Sequence, residues 1–78
     1  MMLLPLSELA VGHTAKVRRV LCDPELSGRL EDLGLTPGLE IRSLHRAPAG
    51  SPGAYDIRGA AIALRENDAN KILVEAGP

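Results

Sequence analysis

Three residues of this chain are natural metal ligands: His13, Cys22 and His45. Metal sites in small domains usually take two ligands from one short motif, such as C-x2-C. No two of these three residues lie closer than nine positions apart, so the chain has no local chelating motif. We interpret Cys22 as a small apolar residue and the histidines as surface or strand residues. The alternative is a weak, exposed site for a divalent metal such as Fe²⁺ or Zn²⁺, shared between molecules.

Cys22 is also the only thiol that could act as a nucleophile. A catalytic thiol needs a base within hydrogen-bond reach, and nothing in the sequence orients either histidine toward it. The adjacent acids Glu31 and Asp32 fall on a predicted helix, where neighbouring side chains point in different directions. We therefore predict that the protein is not an enzyme.

The segment RAPAGSPG, residues 46–53, is rich in proline and glycine. It lacks the GK[ST] and GxGxxG patterns of phosphate-binding loops, and no helix follows it. Two interpretations stay open: a surface loop that joins two strands, or a contact loop carried on a rigid scaffold.

Composition and charge argue against nucleic acid as a partner. The chain has 78 residues, enough for one domain over residues 1–78, and a formal net charge of −1. Its arginines are interleaved with acids, and Tyr55 is the only aromatic residue. Nucleic-acid-binding domains usually carry a basic stripe or aromatic side chains for base stacking.

The single cysteine favours a reducing compartment, the cytoplasm. The apolar start MMLLPL is short and has no basic flank, so we do not interpret it as a signal peptide. No segment approaches the ~20 apolar residues that a membrane-spanning helix needs. We expect no insertion into a membrane.

The sequence predicts one clear helix, which ends at a corner. Asp23 is a good N-cap before Pro24, and Leu26, Leu30 and Leu33 form one apolar stripe. Gly34 is expected to end the helix in a left-handed conformation, with Leu30 and Leu35 in the contact of a Schellman closure. Pro37 and Gly38 then fit the central positions of a type II turn.

Short strands are predicted around this helix. Residues 14–21 and 39–46 alternate in polarity in part. The first pattern slips near Arg19, which predicts a bulge, and the second fails at Ser43-Leu44 in a similar way. Residues 54–65 are predicted to form a hairpin that turns at Gly59-Ala60 in a type II′ turn. In that register Ile57 lies opposite Ile62, and Tyr55 lies opposite Leu64.

These elements predict a mainly β domain with short helices (α+β), folded as a small, partly closed barrel. A helical turn at residues 66–71 and a last strand at 72–75 complete it. The apolar start has two interpretations: residues 1–6 mediate weak self-association, or residues 1–5 are a frayed terminus. We favour fraying.

Three segments together resemble the ferrous iron transport protein A (FeoA) family: LEDLGLTPGLEI, RAPAGSPGAYDIRGAAIALR and DANKILVE. The resemblance covers residues 6–75. Two positions depart from the family pattern, since members commonly carry Leu at the position of Ala49 and Asp or Gly at that of Ser51. The matching positions are Gly34, Pro37, Gly38, Pro48, Gly50, Pro52, Gly59, Leu64, Arg65, Ala69, Ile72 and Val74.

The resemblance implies an SH3-like barrel in the bacterial cytoplasm, held at the inner membrane through a partner. That partner would be the cytoplasmic part of the GTPase-coupled permease for ferrous iron, which the small protein docks on and modulates. The predicted contact residues are Pro48, Ala49, Gly50 and Pro52 of the loop with Leu26 and Leu30 of the helix, while Gly34, Pro37, Gly38 and Gly59 shape turns. Binding of proline-rich peptides is excluded, because such grooves are lined by aromatic residues.

A second function class stays open. SH3-like modules of this kind also form the C-terminal part of metal-dependent repressors, so the chain could be a metal-responsive regulatory domain. It has no predicted helix-turn-helix, so such a domain would act through contacts with another protein.

Overall fold

The predicted mainly β architecture is confirmed in the computed structural model, which describes residues 2–76. Among these residues, six strands form one antiparallel sheet in the order β1-β6-β2-β3-β4-β5. Two α-helices and a 3₁₀ turn, Leu6–Glu8, connect them, and no described helix has the length and apolar character to cross a bilayer. The elements are β1 (Leu3–Pro5), β2 (Thr14–Val20), α1 (Pro24–Asp32), β3 (Glu40–Arg46), β4 (Gly53–Ile57), β5 (Ala60–Leu64), α2 (Glu66–Ala69) and β6 (Ile72–Ala76).

The expectation of a frayed start is wrong for Leu3–Pro5. These residues form β1, which pairs with β6 so that Leu4 lies opposite Val74. Leu4 packs against the core, and Leu6, the first residue after β1, is fully buried. In so small a domain the aliphatic start is needed to cover the core, which explains why it is ordered. Residue 1 lies outside the described residues.

The bulge predicted in β2 is confirmed, and β3 has a second bulge where its alternation of polarity fails. The register of β2 against β6 shifts between Val17 and Arg19, and that of β3 against β4 shifts between Ser43 and His45. Each extra residue increases local twist and bends its strand. The bends let six short strands curve around a single aliphatic core whose one aromatic residue is Tyr55.

The corner after α1 is built as predicted. The Asp23 carboxylate accepts the Leu26 N–H at 3.1 Å at the start of the helix. At its end the N–H of Leu35 donates to the Leu30 carbonyl at 2.9 Å, the Schellman bond, and both leucines are buried. Gly34 has φ of 102°.

The type II turn follows directly. The Leu39 N–H donates to the Thr36 carbonyl at 3.0 Å, and Gly38 has φ of 97°. The predicted place of Leu33 in the apolar stripe is wrong, because its side chain is 45% exposed. The helix ends at that residue, and Leu35 reaches the core in its stead.

The β4–β5 hairpin is present, but its predicted turn is wrong. The turn residues are Arg58 and Gly59, with φ of 53° and 89°, which is the backbone of a type I′ turn. The Asp56 carboxylate accepts the Gly59 N–H at 2.8 Å and stabilises the turn at this position, one residue earlier than predicted. Tyr55 therefore lies opposite Ile62, and Gly53 lies opposite Leu64. The register differs from the prediction by two residues, so the same side chains still face the core.

Candidate functional site

The loop between β3 and β4, residues 47–52, is exposed and held in a fixed shape. Its ends are joined by a hydrogen bond from the Ala47 N–H to the Pro52 carbonyl at 3.1 Å, and the Gly50 N–H donates to the Ala47 carbonyl at 2.7 Å. The Ser51 hydroxyl accepts the Glu66 N–H at 3.0 Å and ties the loop to α2. Of the four predicted contact residues, Pro48, Ala49 and Pro52 are exposed and Gly50 is half-buried.

One exposed apolar side chain lies on β3, the strand that leads into this loop, and a second lies in the turn before β2. Val11 is 52% exposed and Leu44 is 41% exposed. The Gly12 N–H donates to the Ser43 carbonyl at 2.7 Å, and Val11 and Leu44 are the sequence neighbours of these two residues. The Arg46 guanidinium donates to the Leu9 carbonyl at 3.0 Å, which fixes the two segments side by side. We call Val11, Leu44 and residues 47–52 the loop surface.

Sequence reasoning missed Val11 and Leu44 as surface candidates. The signal for Leu44 was present, because the alternation of β3 fails at Ser43-Leu44. Burial in β3 alternates without interruption from Glu40 to Leu44, so Ser43 faces the core and Leu44 faces outward. The polarity of these two residues is reversed relative to that alternation, which leaves an apolar side chain on the exposed face. Val11 had no comparable signal, since it lies in a turn.

The two helix residues predicted to contact a partner are largely turned toward the core. Leu30 is 2% exposed and belongs to the core, which corrects its assignment as a contact residue. Leu26 is half-buried and packs against the same core. Both face inward because their spacing of four places them on the face of α1 that covers the sheet. The exposed apolar residue of this region is Leu33.

The three predicted metal ligands do not converge. His13 and His45 are exposed near the loop surface, where the His13 carbonyl accepts the Ser43 N–H at 3.0 Å. Cys22 lies beyond the opposite end of β2 from His13. This seven-residue strand is about 20 Å long at ~3.3 Å per residue. Within residues 2–76 no group of three or more His, Cys, Asp or Glu residues could hold a metal ion. These residues therefore do not fit a chelating centre within one molecule.

The environment of Cys22 keeps its thiol protonated. Burial raises the pKa of this thiol, the Asp68 and Asp23 carboxylates raise it further, and Lys71 opposes them. The thiol also donates to the Asp68 carbonyl, with an Sγ–O distance of 3.6 Å. Reactive cysteines have the opposite environment, since they lie near positive charge and have a lowered pKa. The geometry matches the interpretation of Cys22 as a small packing residue.

Comparison with known proteins identifies the same family that the motifs resemble. Residues 4–76 match the family model described as the FeoA domain. The solved FeoA protein of Chlorobium tepidum is similar, with a TM-score of 0.91 and 36% identity over 96% of this chain and 71% of that one. The zinc complex of Stenotrophomonas maltophilia FeoA, described as a prokaryotic SH3 domain protein, gives a TM-score of 0.80 and 29% identity over 96% of this chain and 91% of that one. The present fold is thus an SH3-like barrel, as expected.

A more distant similarity concerns the fold alone. A manganese-dependent transcriptional repressor has a TM-score of 0.84 and 22% identity, over 96% of this chain and 42% of the repressor. No curated protein sequence matches the chain.

Proposed function

Because the chain belongs to the FeoA family, we propose that it is an accessory protein of bacterial ferrous iron uptake. In this role it docks on the cytoplasmic part of a GTPase-coupled iron permease and modulates it, without catalysing a reaction itself. The observation that carries the proposal is the family match across residues 4–76. The S. maltophilia relative is described as a candidate ferrous iron transport activating factor, and an activating factor acts on a partner.

The loop surface is the proposed docking surface. Its two exposed apolar side chains, Val11 and Leu44, offer area that a partner can bury. Residues 47–52 carry no charge, so covering them leaves no ion without solvent. Their backbone is already held by hydrogen bonds at both ends, so binding requires little ordering of the loop.

Ala49 marks a difference from the family pattern. Family members commonly carry a leucine there, and a leucine in the loop would supply further apolar contact. In this chain Leu44 is the exposed large apolar residue of β3, three positions before the loop. We propose that it makes the larger share of the apolar contact with the partner.

An NMR titration tests this role. The ¹⁵N-labelled protein is titrated with the isolated cytoplasmic GTPase domain of its permease, in the nucleotide-free, GDP-bound and GTP-analogue-bound states. Amides of residues 11, 44, 47 and 49–51 are expected to shift together, while those of α1 stay in place. No shift in any of the three states would overturn the proposal.

A second function has one observation in its favour, the repressor-like fold. In this alternative the chain is a metal-responsive regulatory domain that acts through protein contacts. Titration with Zn²⁺, or with Fe²⁺ under anaerobic conditions, separates the two functions. Saturable shifts at His13, Cys22 or His45 with micromolar affinity would favour the regulatory domain, whereas a flat response favours the accessory role.

A further inference from the structure

Strand β5 presents an unprotected sheet edge. It lies at one end of the strand order, and among residues 2–76 it pairs only with β4. Its sequence, AAIAL, contains no charge and no proline. The other edge strand, β1, is three residues long and contains Pro5, which blunts it. Edges without such features readily pair with a further strand.

The hairpin fixes which backbone groups of β5 are free. Ile57 and Ala60 flank a two-residue turn, so they form the hydrogen-bonded pair that closes the hairpin. Hydrogen-bonded pairs alternate along an antiparallel ladder, so Ile62 and Leu64 also exchange bonds with β4. The N–H and C=O groups of Ala61 and Ala63 therefore point away from β4, toward the free edge.

We propose that β5 pairs in antiparallel fashion with β5 of a second copy of this chain, about a two-fold axis at Ile62. In this register Ala61 of one copy lies opposite Ala63 of the other, and the free groups meet as two hydrogen-bonded pairs. This register uses all four free groups of each strand, the N–H and C=O of Ala61 and of Ala63. A two-fold axis at Ala61 or at Ala63 would leave some of these groups without a partner. A two-fold axis makes the contact closed, so it yields a dimer and not a fibre.

The side chains fit the same register. Ile62 is half-buried and already packs against the core. In the proposed pair it faces Ile62 of the second copy in a non-hydrogen-bonded pair, where Cα atoms approach to about 4.5 Å. Each isoleucine then covers the exposed side of the other and extends the core across the dimer. Ala61 and Ala63 lie on the opposite, exposed face and are too small to obstruct pairing.

The flanking charges agree with this pairing. Beyond the strand ends the register places Arg58 of one copy toward Glu66 of the other, and both side chains are exposed. Arg65 falls toward Gly59, which carries no charge. The two-fold axis repeats each contact, so the dimer gains two opposite-charge pairs without a like-charge pair at these positions.

Analytical ultracentrifugation of the full chain tests the dimer, from about 10 μM to about 1 mM, a range that covers weak association. The variant Ala61→Pro removes one outward N–H from each strand without breaking the bonds to β4. Its dissociation constant is expected to rise at least about tenfold. The control Ala61→Thr keeps the N–H and is expected to dimerise like the wild type. A wild-type monomer at every concentration, or an undiminished dimer of folded Ala61→Pro, would overturn the proposal.

A charge exchange keeps the test decisive if Ala61→Pro fails to fold. Glu66→Arg places like charges together and is expected to weaken the dimer severalfold, and the double variant R58E/E66R is expected to restore it. A dimer that Glu66→Arg leaves intact would overturn the register. If the wild type is monomeric but binds an extended peptide through the Ala61 and Ala63 amides, the edge pairs with a strand of another protein. That result would overturn self-pairing.

Discussion

At the scale of single residues, the Ser43 hydroxyl is an unusual feature of the core. Ser43 is fully buried, and its hydroxyl has no hydrogen-bond partner among the described residues. A buried polar group without a partner costs about 1–3 kcal/mol. The residue lies at the β3 bulge, where its backbone N–H and carbonyl bond to residues 12 and 13.

Replacing Ser43 with Ala is therefore expected to leave the free energy of unfolding unchanged or to raise it by up to about 1 kcal/mol. The matched control is Ser27→Ala, because the Ser27 hydroxyl donates to the Cys22 carbonyl at 3.0 Å. That control is expected to lose about 1 kcal/mol. Urea denaturation measures both variants. A loss at Ser43→Ala equal to that of the control would contradict the account of an unsatisfied hydroxyl.

The raised pKa of Cys22 leads to a prediction about pH. The folded chain favours the protonated thiol, because burial and the Asp68 carboxylate disfavour the thiolate. Its contribution to stability is present below the pKa of the unfolded thiol and is lost as the pH rises through the folded pKa. Alkylation by iodoacetamide, followed against pH, is expected to have a higher midpoint in the native chain than in the chain unfolded in urea. A native midpoint at or below the unfolded one would refute this account.

At the scale of elements, one glycine inside α1 and another just after it have opposite roles. A methyl group added at Gly28 would meet nothing within 4 Å, so no close contact requires glycine at this position. At Gly34 the φ of 102° is left-handed, and an added methyl carbon would lie 2.2 Å from Cδ of Arg58. One glycine weakens its helix, and the other allows the helix to end.

The same substitution at these two positions is expected to have opposite signs. Gly28→Ala should raise the free energy of unfolding by about 0.5–1 kcal/mol through helix propensity. Gly34→Ala should lower it by about 1–2 kcal/mol through the cost of the left-handed backbone, and by more where the Arg58 side chain must move. Paired urea denaturation curves check this. Equal changes in the two variants would mean that the Schellman closure contributes nothing.

The elements also show what the sequence could and could not predict. The Asp23 cap, the Gly34 closure and the Pro37-Gly38 turn depend on neighbours a few residues away, so sequence reasoning placed them correctly. The hairpin register was missed because the Asp56 side chain selects a turn one residue earlier than the glycine pattern suggested. β1 was missed because its pairing joins the two ends of the chain, and no local pattern reports such a contact.

At the scale of the whole molecule, the fold and the family were predictable, but the set of exposed apolar side chains was only partly so. The order of Gly, Pro and Leu motifs predicted the FeoA family, and the match to residues 4–76 shows it. Leu30 looked like a surface residue because a helical stripe does not say what covers it. Leu44 was missed because the polarity of Ser43 and Leu44 runs against the burial of β3, which places the serine inside and the leucine outside.

The SH3-like barrel separates two exposed leucines that can be compared directly. Leu44 and Leu33 are 41% and 45% exposed. Leu44 lies on β3 and belongs to the loop surface, whereas Leu33 directly follows α1, the element before β3. Similar exposure and identical chemistry make Leu33→Asp the matched control for Leu44→Asp.

The most direct test of the proposed docking is the affinity of the permease's cytoplasmic GTPase domain for these two variants and the wild type, measured by isothermal titration calorimetry. Circular dichroism first establishes that both variants fold. Leu44→Asp is expected to weaken binding at least about tenfold, or about 1.4 kcal/mol, while Leu33→Asp stays within about twofold of the wild type. Unchanged affinity in Leu44→Asp, or a loss confined to Leu33→Asp, would contradict docking through the loop surface.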